Sequence, residues 1–444
     1  MNISRHQISD IVQQALKEGL VREEDTAILF QDLGYLKSRI SDLISLFPPD
    51  TLHGLAIKTN PLAKILEFTR SLGVGAEAAT VGEINLSLQA GFSPDKIVFD
   101  SPVKTISDLQ FALKKGIHLN CDNLSELKRV NILLKEVDSS STIGIRINPQ
   151  VGFGTILESS VAGDYSKFGV PIQTNRNELT EAFLTYPWLT GVHLHVGSQG
   201  CSVEMLVEGV GILYDFALEI NEQRTANGEQ PITIFDIGGG LPVSYRYDHD
   251  PPRMENYVEA LKVRAPGLFG GKEAWRHGGM EMNKRTSGQE DKWGLITEFG
   301  RWVFVNSGFT ISRVEYVKRD PGINTAMIHV GADLFVRECL NPTDWMHEYS
   351  VLDKEGNLKE GKDEHPYNLA GPLCFAGDIV AKHVILPKVE EGDYIIIHDT
   401  GGYTFSMWSR YNSRQTPRIL GIRDGVFSVL KERESFEEIA RFWT

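Results

Sequence analysis

Short β-rich segments alternate with amphipathic helical segments from about residue 54 to residue 300. Helical patterns such as 81–90, 107–115 and 124–134 lie between several strand candidates, which are 55–58, 75–78, 97–99, 119–122, 143–147, 192–196, 232–237 and 294–298. Strands and helices that alternate at this spacing indicate parallel βαβ units. Eight strand candidates in about 245 residues predict a (β/α)8 barrel. A doubly wound open sheet is the alternative, but no GxGxxG turn follows the first strand.

The pattern changes after about residue 302, where β-rich segments follow one another with few long helical patterns between them. The strand candidates are 310–317, 325–330, 379–386 and 394–398, and the segment 27–32 has the same character. This texture indicates a second, mainly β domain. We therefore predict an α/β protein with a barrel domain at 40–300. Residues 1–39 and 301–444 are predicted to form a β-barrel or β-sandwich domain that the N-terminal strand joins.

Composition and charge exclude several classes of protein. The 444 residues carry a net charge of −14, which opposes non-specific binding to nucleic acid. The chain has no apolar run near the roughly 18 residues of a membrane span, and its N-terminus lacks the apolar core of a signal peptide. Its four cysteines are scattered and form no CxxC pair, so we predict a cytoplasmic protein without disulfides or a metal site. The polar segment 246–292 is poorly periodic, and residues 277–292 are predicted to be a mobile surface loop.

Lys58 ends a short apolar segment just before an Asn-Pro pair. Burial at such a place disfavours the charged amine and lowers its pKa. A neutral amine is a nucleophile, and condensation with an aldehyde cofactor is one reaction that requires it. The alternative is a lysine that extends from a strand end into solvent, because lysine is rarely fully buried.

Three other groups of residues follow predicted strands, at the ends that face the active site of a (β/α)8 barrel. His195 and Ser198 lie in the run HLHVGSQ, where the histidine is either a ring-stacking group or a hydrogen-bonded core residue. The glycines 238–240 let the backbone approach a ligand and expose N–H groups, which suits a phosphate, although a flexible turn is the alternative. Glu298 is the last residue of the final barrel strand candidate.

Together these motifs resemble those of the fold-type III pyridoxal-phosphate decarboxylases, which include diaminopimelate, ornithine and arginine decarboxylases. The motifs occur in the family's order from about residue 25 to the C-terminus. The resemblance implies a pyridoxal 5'-phosphate cofactor with Lys58 as its Schiff-base lysine and His195 stacked on its ring. It also implies that the cofactor phosphate is bound by Ser198, Gly238, Gly239 and Gly240.

The second half of the chain carries the remaining family motifs. Glu298 and Arg301 match the EPGR motif, and Tyr403 matches a tyrosine that reaches the phosphate. Cys374 and Asp378 match the CxxxD motif that the partner subunit contributes in this family. Lys167 matches the lysine that pairs with that aspartate across the interface. The resemblance therefore implies a homodimer with shared active sites.

The carboxylate of Glu298 favours decarboxylation, because a protonated ring nitrogen best accepts the electron pair left when CO2 departs. Cys374 can supply the proton that replaces CO2, as a positioned general acid, although a free cysteine is more often a small buried apolar residue. We predict decarboxylation of an amino acid or an amino-acid conjugate. A racemase or epimerase that uses Cys374 or Tyr403 as its second base is one alternative, and a non-catalytic decarboxylase homologue is another.

Three departures from the family's motifs concern the substrate. Phe375 stands where diaminopimelate and ornithine decarboxylases carry an acid that faces the distal amino group of the substrate. Arg337 is retained as a carboxylate-binding residue, but the proline and tyrosine that follow it in the family are absent. Phe299 replaces the proline of EPGR, and the segment 246–292 precedes it. The resemblance thus predicts a small amino-acid-like substrate that does not present a free distal ammonium to residue 375.

Overall fold

The computed structural model describes residues 3–247, 250–270, 293–361 and 363–444. The loop predicted at 277–292 lies outside these residues. The chain begins with helix α1 (Arg5–Lys17), strand β1 (Ala27–Asp32) and helix α2 (Leu33–Leu46). Among the described helices, none combines the length and the apolar character needed to cross a bilayer.

The middle of the chain forms a closed parallel barrel. Its strands are β2 (Leu52–Ala56), β3 (Gly75–Ala78), β4 (Ile97–Asp100), β5 (His118–Cys121), β6 (Ile143–Asn148), β8 (Leu189–His193), β9 (Ile234–Asp236) and β10 (Gly294–Thr297), with the short β7 (Val170–Pro171) paired only to β6. The eight strands pair in chain order, and β10 closes the ring by pairing with β2. The predicted (β/α)8 barrel is therefore confirmed.

Helices connect the barrel strands on the outside. They are α3 (Ala63–Ser71), α4 (Val81–Gln89), α5 (Ile106–Lys115), α6 (Leu124–Leu133), α7 (Ile172–Thr185), α8 (Val203–Ala226) and α9 (Met254–Arg264). The side chains of Thr80, Thr105 and Asn123 cap α4, α5 and α6 by accepting a backbone N–H from the first helical turn. These caps stand two to five residues after a strand ends, so they help to fix the short loops on the C-terminal face of the barrel.

The second domain is mainly β, as predicted. It contains α10 (Gly300–Phe304), β11 (Gly308–Asp320), β12 (Ile323–Ile328), α11 (Val336–Leu340), β13 (Tyr349–Leu352), β14 (Glu364–Ala370), β15 (Ile379–Pro387), β16 (Tyr394–Ile397), β17 (Arg418–Arg423), β18 (Val426–Lys431) and α12 (Phe436–Trp443). The N-terminal β1 pairs antiparallel with β11 and parallel with β17. The first strand of the chain thus lies in this sheet, while the exact domain limits stay a prediction.

Two barrel strands end two or three residues earlier than predicted. Strand β2 ends at Ala56, which pairs with Glu77, and Lys58 lies in the 3-10 turn that follows. Strand β8 ends at His193, so His195 lies two residues beyond it. Both side chains therefore belong to the loops on the C-terminal face of the barrel, where the chain leaves the sheet. The sequence missed these ends because the apolar pattern continues into the loops.

Candidate active site

A cavity of about 890 Å³ opens on the C-terminal face of the barrel, and residues of both domains line it. The predicted site residues in its wall are Lys58, His195, Ser198, Gly240, Glu298, Arg301, Arg337 and Tyr403. Four predicted site residues lie outside this wall, namely Gly238, Gly239, Cys374 and Phe375. Residues separated by up to 345 positions in sequence thus meet in one cavity.

Lys58 forms an ion pair at the floor of the cavity. Its Nζ lies 2.5 Å from Oε2 of Glu77, whose side chain is almost fully buried. Desolvation acts to lower the pKa of Lys58, but Glu77, with Tyr403 and Glu298, raises it above its usual value. The expected lowering of this pKa is therefore wrong. The sequence could not indicate the carboxylate that opposes burial, because Glu77 comes from the neighbouring strand.

The glycine loop after β9 is packed so tightly that it excludes side chains. Gly238 and Gly240 have φ angles of +63° and +103°, which L-residues rarely adopt. A Cβ atom would lie 2.4 Å from the carbonyl oxygen of Leu194 at the first position and 2.1 Å from that of Gly197 at the second. This loop is consequently a backbone cradle and not a flexible turn.

Two of the three N–H groups in this loop are used inside the protein. The Gly238 N–H donates to Oδ1 of Asp236 at 2.9 Å, and the Gly239 N–H donates to Nδ1 of His195 at 3.2 Å. The sequence predicts that the loop exposes several N–H groups, and these two are instead hydrogen-bonded inside the protein. Gly240 is the member of the loop that lines the cavity.

His195 presents a neutral ring to the cavity. Its Nδ1 accepts the Gly239 N–H, so the proton of the neutral ring is on Nε2. Burial, with Arg146 as a further cause, lowers the pKa of His195 to about 3. A neutral imidazole at this position suits the ring-stacking role that the sequence predicts.

Glu298 offers an unpaired acceptor to the cavity. Its side chain is buried, and its Oε1 has no hydrogen-bond partner among the described residues. Burial acts to raise the pKa of Glu298, but His193 lowers it below its usual value. A buried carboxylate oxygen without a donor is costly, so this oxygen is a natural partner for an N–H group of a ligand.

Arg301 ties the barrel loops together at one side of the cavity. Its Nε donates to Oγ of Ser198 at 2.9 Å, and its Nη1 donates to the hydroxyl of Tyr245. Its guanidinium lies 4.4 Å from the ring centroid of Tyr403. Ser198 and Tyr403, the two predicted phosphate contacts outside the glycine loop, are thus both held by Arg301.

Arg337 and Trp345 form the wall that the second domain contributes. The Nη2 of Arg337 donates to the carbonyl oxygen of Tyr403 at 3.1 Å, and its guanidinium lies 4.2 Å from the ring centroid of Trp345. Trp345 also lines the cavity, and the sequence analysis did not identify it. The departure from the family's motif after Arg337 is the sequence feature that could have drawn attention to this part of the cavity wall.

Cys374 and Phe375 lie on the protein surface. Cys374 is exposed, and its backbone N–H donates to Oδ1 of Asn412 at 2.8 Å. Phe375 is 39% exposed and packs edge-to-face against Tyr411. Neither residue belongs to the described wall of the cavity in its own chain.

Asp378 holds the loop that carries Cys374. One carboxylate oxygen accepts the N–H of Ala332 and the other accepts the N–H of Leu373, both at 2.6 Å. The predicted pairing of Asp378 with Lys167 of a second subunit stays a prediction, and it would have to compete with these bonds. Lys167 itself lines the cavity.

A buried charged network lies in and behind the cavity wall, and none of its members was predicted from the sequence as a site residue. It consists of Glu77, Asp100, Arg146, His193 and Asp236, which are all at least nine-tenths buried. Strand register places Arg146 beside His193 and His193 beside Asp236. A charged residue near the end of each of several apolar strands is the sequence feature that could have indicated this network.

The described residues fit pyridoxal phosphate. Lys58 supplies a primary amine, the glycine loop a cradle for phosphate, His195 a neutral ring, and Glu298 an acceptor that lacks a donor. These are the groups that a protein uses to bind and polarise this cofactor.

Comparison with known proteins agrees with this geometry. Residues 33–275 match the family described as "Pyridoxal-dependent decarboxylase, pyridoxal binding domain". The diaminopimelate decarboxylase of Methanothermobacter thermautotrophicus is 29% identical over 387 residues, which cover 87% of this chain and 83% of that enzyme. The diaminopimelate decarboxylase of Pseudomonas fluorescens is also 29% identical, over 400 residues that cover 88% and 87% of the two chains.

Solved structures are similar along almost the whole chain. The crystal structure of diaminopimelate decarboxylase from Helicobacter pylori complexed with L-lysine has a TM-score of 0.80 and 27% identity, and the match covers 96% of this chain and 99% of that one. The arginine decarboxylase of Paramecium bursaria Chlorella virus shares the fold, with a TM-score of 0.73 at 19% identity over 92% of this chain and 100% of that one.

Proposed function

The chain belongs to the family of pyridoxal-dependent decarboxylases and is a pyridoxal-phosphate-dependent carboxy-lyase of amino acids, and we propose how its residues divide the work. Lys58 is the proposed Schiff-base lysine and would hold the cofactor aldehyde. His195 would support the cofactor ring, and Glu298 would pair with its ring nitrogen. The observation that carries this proposal is the meeting of these three groups with Gly240 and Tyr403 in one cavity.

The bound cofactor supplies an electron sink for the pair left at Cα when CO2 departs. The protein contributes the charge that makes this sink effective, because an ionised Glu298 favours a proton on the ring nitrogen. Its unpaired Oε1 is the atom available for that proton. Ser198, Gly240 and Tyr403 form the proposed phosphate site, in which Arg301 orients two of the side chains, while Gly238 and Gly239 shape the loop behind it.

A second subunit completes the proposed site. Cys374 is the proposed proton donor, yet it is exposed and lies outside the described wall of the cavity in its own chain. A surface cysteine on a loop braced by Asp378 and Asn412 is suitably placed to enter the cavity of a partner. The proposed active unit is therefore a two-fold dimer in which each site uses residues of both chains.

The proposed substrate does not present a free distal ammonium to residue 375. Glu338 and Asp399 are two other acids that would be alternatives to the family's carboxylate at residue 375, but both already have partners inside the protein. Glu338 is buried and lies 3.0 Å from Nε2 of His347, and Asp399 accepts a hydrogen bond from Asn306 at 2.8 Å. Besides the acids Asp100, Glu158 and Glu298, the cavity wall carries five cations, one of which is Arg337. A distal group that is apolar, carboxylated or part of a conjugate fits this wall best.

Diaminopimelate is the second candidate substrate, because the relatives at 29% identity are named for it. One feature of the cavity favours it. Glu158, an exposed acid in the described wall, has no ion pair there that neutralises it. An ammonium group of the substrate could meet this carboxylate, while Arg337 binds a carboxylate of the same molecule.

Initial rates of CO2 release should separate the two substrates. We expect meso-diaminopimelate, lysine and ornithine to be used at least 100-fold less efficiently than the cognate amino acid, because an ammonium against a phenyl ring loses several kcal/mol. The screen would cover free amino acids and carboxylated conjugates. A kcat/KM above about 10⁴ M⁻¹s⁻¹ for any of the three would contradict the proposed substrate class. If Glu158→Gln also removed that activity, diaminopimelate would become the proposed substrate.

Loss of optical activity without CO2 release would instead indicate a racemase.

Phe375→Glu should partly reverse this preference. A carboxylate at residue 375 faces the distal ammonium, so we expect kcat/KM for meso-diaminopimelate to rise at least tenfold, or about 1.4 kcal/mol. Phe375→Leu is the matched control, since it removes the ring without adding charge. Equal rates for the two variants would mean that residue 375 does not contact the distal group.

A further inference from the structure

His193 lies behind the cavity wall, between two carboxylates that line the cavity. Its Nδ1 lies 3.6 Å from Oδ1 of Asp100, and its Nε2 lies 3.7 Å from Oε2 of Glu298. The ring is fully buried, and neither nitrogen has a hydrogen-bond partner among the described residues, so the two carboxylates are its nearest charged groups. A buried imidazole with both nitrogens directed at carboxylates is suited to the charged, doubly protonated form.

The surroundings of His193 alternate in charge. Arg146 on β6 donates to Oδ2 of Asp100 on β4 at 2.8 Å, and Asp100 in turn faces His193 on β8. His193 in turn faces Glu298, which lines the cavity. His193 is absent from the described wall of that cavity, so it acts on Glu298 from behind.

Neighbouring acids destabilise the ionised form of Glu298, so a cation close to its carboxylate is needed to keep it ionised. Glu77 and Asp100 both raise the free energy of its ionised form, and burial adds to that cost. Lys58 offsets part of this repulsion, but it also pairs directly with Glu77. The imidazolium of His193 is the group that faces the far side of the Glu298 carboxylate.

The ionisable groups around His193 support the charged form. Asp100, Asp236 and Glu298 favour its proton, whereas His118 and His195 are held neutral by burial and add no positive charge. Burial acts to lower the pKa of His193, but the three carboxylates raise it to about 9.

We propose that His193 is a positioning residue that keeps Glu298 ionised and aimed at the cofactor ring nitrogen. This inference rests on the role proposed above for Glu298. His193 itself makes no contact with the reacting atoms. Its effect should therefore be visible in the cofactor spectrum and in cofactor affinity, as well as in turnover.

The test compares purified holoenzymes of the wild type, His193→Gln, Glu298→Gln and His118→Gln between pH 6 and pH 9. Visible spectra and the Kd of the cofactor are the measurements. Without the imidazolium, Glu298 should bind a proton near neutral pH, so the His193→Gln spectrum should resemble that of Glu298→Gln. A carboxyl group with a raised pKa ionises as the pH rises, so His193→Gln should regain the wild-type spectrum at alkaline pH. Glu298→Gln should not regain it.

His118→Gln is the matched control. His118 is buried on the neighbouring strand β5, and its ring nitrogens meet Thr142 and Asn120 at 2.7 and 3.1 Å. Burial lowers the pKa of His118 to about 4, so its loss removes no charge. We expect its spectrum to match the wild type at each pH, while His193→Gln weakens cofactor binding about tenfold and lowers kcat more than it changes KM.

Three results would overturn the proposal. The first is a His193→Gln spectrum and Kd within twofold of the wild type. The second is an unchanged Glu298→Gln, which would reject the role of Glu298 itself. The third is a bound metal ion. Ligand atoms of Asp100, His193 and Glu298 lie within 4.8 Å of one another, so these residues are close enough to bind one. Stoichiometric metal whose removal by a chelator changes the spectrum would mean that a cation does the work assigned to the imidazolium. If His193→Gln does not fold, His193→Asn provides the same comparison.

Discussion

Replacing Lys58 with alanine is expected to give a protein without the visible absorbance of attached cofactor. The same change should lower kcat by about three orders of magnitude or more, which corresponds to about 4 kcal/mol of lost transition-state stabilisation. The physical reason is that Lys58 is the amine at the cavity floor, where Glu77 holds its Nζ at 2.5 Å. Covalent attachment divides a difficult step into easier ones, and that advantage is lost with the amine.

Lys64→Ala is the control for this experiment. Lys64 lies on helix α3, six residues after Lys58, but its side chain is exposed and its Nζ donates to the carbonyl oxygen of Val429. The control should keep both its colour and its activity. Circular dichroism should confirm that Lys58→Ala is folded, since the change leaves Glu77 buried without its cation. A Lys58→Ala protein that stays yellow, with borohydride trapping the cofactor on another lysine, would contradict the assignment.

The sequence could predict the barrel and most of the cavity wall because both depend on local patterns. Strand composition, helix spacing and short motifs such as HLHVGSQ each occupy a few consecutive residues. Residues that follow parallel strands gather at one face of a closed barrel. The motif residues Lys58, His195 and Glu298 could therefore be placed together without a structure.

The charges beneath the cavity could not be predicted in the same way. The ion pair of Lys58 with Glu77, and the contacts of His193 with Asp100 and Glu298, join different strands. Their strength depends on distances of a few ångströms and on exclusion of water. Nothing in the local sequence sets these quantities. As a result the sequence predicts a lowered pKa for Lys58, whereas Glu77, acting against burial, raises the pKa above its usual value.

The glycine loop is a second example of contacts that could not be predicted from local sequence. The triplet 238–240 indicates a backbone that a ligand can approach, and the structure has such a backbone. Whether each N–H group is free depends on neighbours from other loops. Asp236 and His195 take two of them. The glycine triplet therefore predicts a backbone that a ligand can approach, but not which of its N–H groups are already used inside the protein.

Mixing two inactive variants, Lys58→Ala and Cys374→Ala, is expected to restore about a quarter of wild-type activity, by the statistics of a two-fold dimer. Random exchange makes half of the dimers mixed. In a mixed dimer one site receives both the intact Lys58 and the intact Cys374, and the other site receives neither. We expect activity to return because Cys374 is exposed and lies outside the described wall of its own cavity, and the proposed site takes it from a second chain.

The control mixes Lys58→Ala with the double variant that lacks both side chains. None of its dimers contains an intact Cys374 opposite an intact Lys58, so no activity should return. Differently tagged subunits and co-purification would establish that exchange has taken place. If exchange is complete and the first mixture stays inactive, each site is built from one chain. Cys374 would then have to reach its own cavity by a movement of the loop that Asp378 braces.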